Sequence, residues 1–143
     1  MRLWHIDLIP YLPKSQLLGQ WRELNSIFKK QDKHILINYI YDYPREYLYF
    51  YADAVIDEIN KRNININSYT NFNKFFQILD EDNIGCIGRC KFAEHNNEYL
   101  LICFINLYEK YIRGQKDFDK ATFNKLYDFV NTKFDLKSLG IEK

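Results

Sequence analysis

The sequence predicts a mostly α-helical fold, a single compact domain with an extended N-terminal arm, and three observations carry that prediction. Apolar residues recur at three- and four-residue spacing through several long segments, as amphipathic helices require. Strand-type runs rich in β-branched and aromatic residues are nearly absent, Ile35 to Tyr43 being the main exception. With 143 residues, 47% of them hydrophobic, the chain can bury one core and has no room for a second substantial one.

The elements follow in order. Residues 3–12 read as the extended arm, because Pro10 and Pro13 bias their predecessors away from helix. Pro13 also suits the first turn of a helix, where its missing N–H costs nothing. From Lys14 to about Lys30 the residues Leu17, Leu18, Trp21, Leu24 and Phe28 form an apolar stripe, with Gln16, Gly19, Gln20 and Glu23 on another face. Gly19 stands one turn before Glu23, so a second piece of backbone could approach that carboxylate closely. Ile35 to Tyr43 reads either as a short strand or as an apolar loop packed on the helices.

Pro44 opens the clearest helix, Arg45 to Arg62, with Leu48, Tyr51, Val55 and Ile59 as its buried stripe and Lys61-Arg62 at its negative end. Asn63 to Ser68 is a polar exit, and Thr70 is placed to cap a short helix from Asn71 to Leu79. Asp80 to Arg89, with Gly85 and Gly88, reads as a loop. Asn96 or Asn97 caps a helix that runs to Arg113 and stops at Gly114, with Leu101, Phe104, Ile105 and Tyr108 as its apolar side. A last helix from about Phe118 to Phe134 buries Phe123, Leu126, Phe129 and Val130.

Composition narrows the function. A net charge of +1 argues against a protein that coats nucleic acid by electrostatics alone. The charge is uneven, however: residues 1–48 carry seven basic and five acidic side chains, residues 49–104 five and eight, and residues 105–143 eight and six. Mildly basic termini permit a basic face. Twelve Tyr and eleven Phe fall largely at helical spacing and fill a core before they bind anything.

No run reaches the roughly 18 apolar residues of a membrane helix, and the N-terminus lacks a secretory signal pattern. A cytoplasmic protein, at the nucleoid when in use and not secreted, is the expectation. Three cysteines without a framework spacing fit a reducing compartment. Cys86, Cys90, His95 and Cys103 are spaced more widely than a zinc knuckle, and Cys103 falls on an apolar helix face, so no metal is expected. Neither a nucleophile elbow nor a glycine-rich phosphate loop is present.

The chemistry concentrates in the first 24 residues, MRLWHIDLIPYLPKSQLLGQWREL. Their pattern, MRLW-H-x-x-LIP-x-LP-x-x-QLLGQ-x-RE, resembles the N-terminus of the pyrimidine-dimer DNA glycosylase (endonuclease V) family, and most closely its cellular relatives. The resemblance extends through Phe28 and Lys33-His34 and more weakly through Lys61-Arg62-Asn63. It implies a helical repair enzyme that excises a damaged base and nicks the strand as an abasic-site lyase. In that family the N-terminal α-amine attacks C1′, a Schiff base forms, and β-elimination breaks the strand.

An α-amine suits that task. It titrates near 7.7–8.0 against about 10.4 for lysine, so roughly a tenth of it is unprotonated at pH 7. The resemblance makes the Met1 α-amine the nucleophile and Glu23 the acid/base, with Arg2 and Arg22 holding phosphate through their planar, permanently charged forks. Arg2 also bears on the terminus itself, since a long second side chain blocks removal of the initiator and leaves Met1 as the reacting residue. The Met1 nitrogen is then expected within about 3–5 Å of the Glu23 carboxylate, directly or through one water.

Gln16, Lys33 and His34 are further expected DNA contacts, and Lys116, Lys120, Lys125 and Tyr127 are expected to line a DNA groove. The partner is damaged double-stranded DNA, bound by a monomer that needs no cofactor and no membrane. Two positions depart from the family pattern, Gln16 where a histidine is usual and Ser26 where a basic residue is usual. They leave open an abasic-site lyase or a glycosylase for another lesion. A helical DNA-binding or interaction module without the chemistry is the alternative of a different class.

Overall fold

Helix boundaries follow the capping chemistry of the sequence closely. In the computed structural model, which describes residues 1–77, 79 and 90–143, five α-helices and three 3-10 segments are found among the described residues. Helix α1, Lys14–Lys30, starts behind Pro13 and ends at Gln31, whose left-handed φ of 51° lets its N–H reach back to Ile27 O at 2.8 Å. Helix α2, Arg45–Lys61, starts behind Pro44 in the same way and stops at Arg62, ahead of Asn63 at φ 58°. Helix α3 is short, Thr70–Phe76. Helix α4, Asn97–Ile112, is capped by Asn96, whose side chain accepts the Tyr99 N–H at 2.9 Å, and it is followed by Gly114 at φ 88°. Helix α5, Lys120–Asn131, is capped by Asp119 through the Thr122 N–H at 2.8 Å.

The pairing of elements brings the N-terminal arm between two groups of helices. α1 packs on α2 and α3, and α4 packs on α5. A 3-10 segment, Ile6–Tyr11, bridges the two groups by packing on both α2 and α5. Leu3, Leu8, Ile9, Leu12, Leu17, Leu24, Tyr51, Ile59, Phe104 and Phe123 are buried in the shared core. Each such aliphatic side chain contributes roughly 1.5–3 kcal/mol on transfer from water.

Aromatic residues do fill the interior. Phe28, Phe72, Phe75 and Phe76 meet one another between α1 and α3 at centroid distances of 4.9–5.9 Å. Tyr111 stacks on Phe123 at 4.1 Å between α4 and α5. No helix among the described residues is long and apolar enough to cross a membrane.

Several sequence expectations are corrected. The arm over residues 3–12 is not extended throughout, because Ile6–Tyr11 coils into a 3-10 helix with Pro10 inside it. His5 Nδ1 accepts the Asp7 N–H at 3.1 Å and His5 O accepts the Leu8 N–H at 2.9 Å, and the tight turn buries Leu8 and Ile9. That burial outweighs the extended bias of the residue before proline. Residues 35–43 hold a 3-10 segment, Asn38–Asp42, rather than a strand.

Thr70 begins α3 instead of capping it, and the Ser68 hydroxyl accepts the Thr70 N–H at 3.2 Å. The buried face of α4 is rotated by one residue from the expected one, to Leu100, Cys103, Phe104 and Leu107, leaving Ile105 exposed. The loop expected over Asp80 to Arg89, and Cys86 with it, lies outside the described residues.

Candidate active site

The central side chain of the site is Gln20, which is buried although it lies on a helix that is polar around much of its circumference. Its Oε1 accepts the Trp4 N–H at 2.8 Å and the Tyr51 hydroxyl at 2.9 Å. Its Nε2 donates to Arg2 O at 3.1 Å and to the Glu23 carboxylate at 3.2 Å. One amide therefore uses both ends to fasten the arm to α1 and to touch the proposed acid/base. Tyr51 of α2 completes the clamp, its one hydroxyl proton shared between Gln20 Oε1 and the nearer Trp4 O at 2.6 Å.

The arm is held from its other side by residues 95 and 99. The Tyr99 hydroxyl donates to Leu3 O at 2.5 Å. His95 Nδ1 accepts the Ile6 N–H at 3.0 Å, so its proton resides on Nε2, which meets the Tyr39 hydroxyl at 2.8 Å. Burial pushes the His95 pKa down to about 3, with the nearby His5 acting in the same direction. Both ring nitrogens of His95 are thus engaged, and Cys103 is in the buried face of α4. Among the described residues no three His, Cys, Asp or Glu side chains gather as a metal site would need.

Held this way, Met1 and Glu23 line one open depression of about 300 Å³ together with Arg2, Trp4, Leu36, Asn106 and Lys110. Glu23 is half-buried, and burial raises its pKa above the ordinary carboxylate value. The Met1 ammonium, the Arg2 backbone N–H, the Gln20 amide and Arg22 each pull it back, the ammonium most strongly of these. The ion pairs closer than 4.0 Å among the described residues are elsewhere, so the amine acts on Glu23 by charge across the depression.

The other sequence-predicted residues divide. The Arg2 guanidinium stacks near Trp4 and Tyr99, at 5.8 and 5.9 Å from their ring centres, so its charge lies at the wall of the depression. Arg22 is exposed and lines a neighbouring groove of about 520 Å³ with Leu18, Trp21, Asn25 and Ser68. Lys33 is exposed with its Nζ 3.7 Å from the Tyr41 ring centre.

Gln16 does not reach the site, because its amide is paired reciprocally with that of Gln115 at 3.0 and 2.7 Å. His34 is exposed, and its Nδ1 accepts the Leu36 N–H at 3.1 Å, which places the ring proton on Nε2. Tyr127 cannot line a groove, since it is buried and donates to Ile141 O at 2.9 Å. Lys116, Lys120 and Lys125 are exposed, as a DNA-facing role requires, and Lys125 borders a separate hollow between the 3-10 helix and α5.

Gly19 has a different environment from the one expected. A Cβ there would meet the Arg22 side chain at 3.6 Å, an ordinary contact, and the backbone that approaches α1 does so at Gln20.

Gln20, Tyr51, Tyr99, Leu36, Asn106 and Lys110 are site residues that the sequence pattern does not point to as such. Gln20 carries a readable signal, since Leu17, Gln20, Leu24 and Ile27 fall on one helical stripe and a polar residue on a buried stripe must find partners. Asn106 and Lys110 give no such signal, because α4 meets the terminus only in the folded molecule.

Comparison with known proteins identifies a family for part of the chain. No curated protein and no solved structure matches the chain. The model of the family described as pyrimidine dimer DNA glycosylase matches residues 1–71, a stretch that contains Met1, Arg2, Gln20, Arg22, Glu23, Leu36 and Tyr51. Such a match implies DNA glycosylase function and a DNA substrate. With the N-terminal motif and the helical fold in agreement, residues 1–71 place the chain in the pyrimidine dimer DNA glycosylase family.

Proposed function

We propose that this protein is a DNA glycosylase with abasic-site lyase activity, acting on pyrimidine dimers in duplex DNA through the Met1 α-amine. The observation that carries the reading is the shared depression in which Met1 and the half-buried Glu23 face the same space. The amine nitrogen attacks C1′ while the glycosidic C1′–N bond breaks, and the base leaves with the electron pair. Loss of the amine proton and cleavage of C1′–O4′, with O4′ taking a proton, give the ring-opened iminium. Removal of a C2′ proton then expels the 3′ phosphate with the C3′–O3′ electron pair. Water hydrolyses the remaining imine and frees the terminus.

Glu23 serves as the acid/base for these transfers. Its raised pKa brings it closer to neutral pH, where a group that must both accept and return protons works best. Arg2 and Lys110 supply positive charge toward the strand from opposite elements. Arg22 extends that charge into the next groove.

Borohydride trapping tests the reading. Protein incubated with abasic duplex DNA and borohydride is expected to give a covalent adduct that maps to Met1. Acetylation of the terminus should abolish it, and an intact mass without Met1, or no adduct from unblocked protein, would remove the Met1 mechanism.

A second reading, lyase action on abasic sites or another base lesion, is favoured by the two departures from the family pattern. The Ser26 hydroxyl is hydrogen-bonded to Asp32, and Gln16 is tied to Gln115, so neither position offers a cation or a ring to a dimer. Comparing rates on ultraviolet-irradiated, abasic and oxidised duplexes separates the two.

A further inference from the structure

Among the exposed large apolar side chains of the described residues, Ile35 is the most open, at 86% of its surface. A lone exposed isoleucine is unremarkable on a surface, but this one is held in place. The His34 N–H donates to Asn38 Oδ1 at 2.7 Å, His34 O accepts from Ile37 and Asn38 at 2.9 and 2.8 Å, and His34 Nδ1 accepts from Leu36. Below the turn Ile37 and Ile40 are buried and anchor it to the core. The ring of His34 therefore stiffens the presentation of Ile35 through Nδ1.

The position of the turn gives the exposed side chain a use. Leu36, one residue and about 3.8 Å of backbone away, lines the depression with Met1 and Glu23. Lys33 stands on the other flank, exposed. An enzyme that must reach C1′ has to disturb stacking at the target, and rigid apolar side chains inserted at a base step are a recurrent way of doing so. Isoleucine is branched at Cβ and offers no hydrogen bond to compete with phosphate or water.

We propose that Ile35 is a strand-opening wedge that enters the base stack beside the damaged nucleotide and holds it unstacked over the Met1–Glu23 depression. The occupant of this apolar tip is a base step of the duplex, and Lys33 meets the adjoining phosphate. The assignment rests on the glycosylase reading for its substrate, but its test does not require cleavage.

The probe is a duplex with a tetrahydrofuran abasic analogue, which has no aldehyde to react, flanked by 2-aminopurine. Binding of the wild-type protein is expected to raise the 2-aminopurine fluorescence at least about twofold as stacking is lost. Ile35→Ser should bind within about threefold of wild type and give no rise, while Ile35→Leu should restore it. On cleavable abasic duplex the Ser variant should be about tenfold slower, and mismatched flanking pairs, already unstacked, should recover most of that loss.

A fluorescence rise with Ile35→Ser equal to wild type, or an equal slowing on matched and mismatched duplexes, overturns the wedge. Borohydride trapping distinguishes the two ideas. A wild-type protein that traps abasic DNA but leaves the analogue stacked sinks the wedge alone. One that unstacks the analogue but never traps sinks the Met1 mechanism and leaves the wedge standing.

Discussion

Replacing Gln20 by leucine should damage both stability and chemistry, and the structure allows the size of each effect to be worked out. Leucine fills much of the same space but removes one acceptor and one donor group. The buried Trp4 N–H loses its partner, which costs about 1–3 kcal/mol for a desolvated, unpaired donor. Tyr51 keeps its bond to Trp4 O, and Arg2 O can turn to water, so their losses are smaller.

A net destabilisation of about 2–3 kcal/mol follows, and with a urea slope of about 2 kcal/mol/M the unfolding midpoint should fall by roughly 1 M. The arm is simultaneously released from α1 at Arg2 and Trp4. A displacement of the terminus by about 1 Å costs on the order of 10²-fold in rate, which borohydride trapping on abasic duplex would read directly. Gln20→Glu separates the roles, since it keeps an acceptor for Trp4 and Tyr51 but loses the donor to Arg2 O and sets a second carboxylate against Glu23. A Gln20→Leu protein with an unchanged midpoint and a trapping rate within about twofold of wild type would refute the argument that this amide positions the nucleophile.

Four further expectations can be checked together. Glu23→Gln should lower nicking by about 10²–10⁴-fold while affinity for an uncleavable abasic duplex stays within about threefold, and an equally active variant would take Glu23 out of the mechanism. Tyr127→Phe should cost about 1 kcal/mol through the lost bond to Ile141 O and leave DNA affinity unchanged in a binding titration; weaker binding at full stability would return Tyr127 to the groove. Gly19→Ala should raise stability by about 0.5–1 kcal/mol without slowing the reaction, because its methyl group meets only the Arg22 side chain.

His95 governs the acid side of the stability profile. Its pKa is about 3 in the folded chain against the ordinary 6.5, so above 6.5 neither state takes the proton and below it the unfolded state does. Stability from this group should then fall by up to about 1.4 kcal/mol per pH unit between 6.5 and 3, and His95→Gln should flatten that slope in urea titrations run across the range.

What could be read from the sequence, and what could not, has a physical pattern. The ends of helices α1, α2 and α4 were legible because they are written in local chemistry: proline at Pro13 and Pro44, a side-chain cap at Asn96, a left-handed glycine at Gly114. Helix α5 was legible by its apolar spacing, but it spans Lys120–Asn131, shorter at both ends than Phe118 to Phe134. The 3-10 helix Ile6–Tyr11 was not, because its local bias is extended and tertiary burial of Leu8 and Ile9 decides it. The burial of Tyr127 was not legible for a related reason, since its hydroxyl finds its partner at Ile141, in a segment with little periodicity of its own. The two ends of the proposed site, Met1 with Arg2 and Glu23 with Arg22, were legible as a linear motif. Their connection through Gln20 was not, because a glutamine between Gly19 and Glu23 reads as part of the polar face until its buried partners Trp4 and Tyr51 are in place.

The family match and the site do not have the same extent, and the difference bears on how the terminus is held. Residues 1–71 supply the amine, Glu23, Gln20 and Tyr51. Yet two of the bonds that fix the arm come from beyond them, Tyr99 to Leu3 O and His95 to Ile6 N–H, and the depression is closed on that side by Asn106 and Lys110. A free N-terminus is ordinarily the most mobile part of a chain, poorly suited to the role proposed for Met1, which requires it to meet C1′ at a defined angle. Here the backbone is held at Arg2, Leu3, Trp4 and Ile6 by side chains from α1, α2, α4 and the segment just before α4, so that only Met1 projects beyond the last tether. The segment outside the match therefore contributes geometry even where it contributes no recognisable motif. That is why its residues, judged by their own sequence, could pass for an ordinary helix.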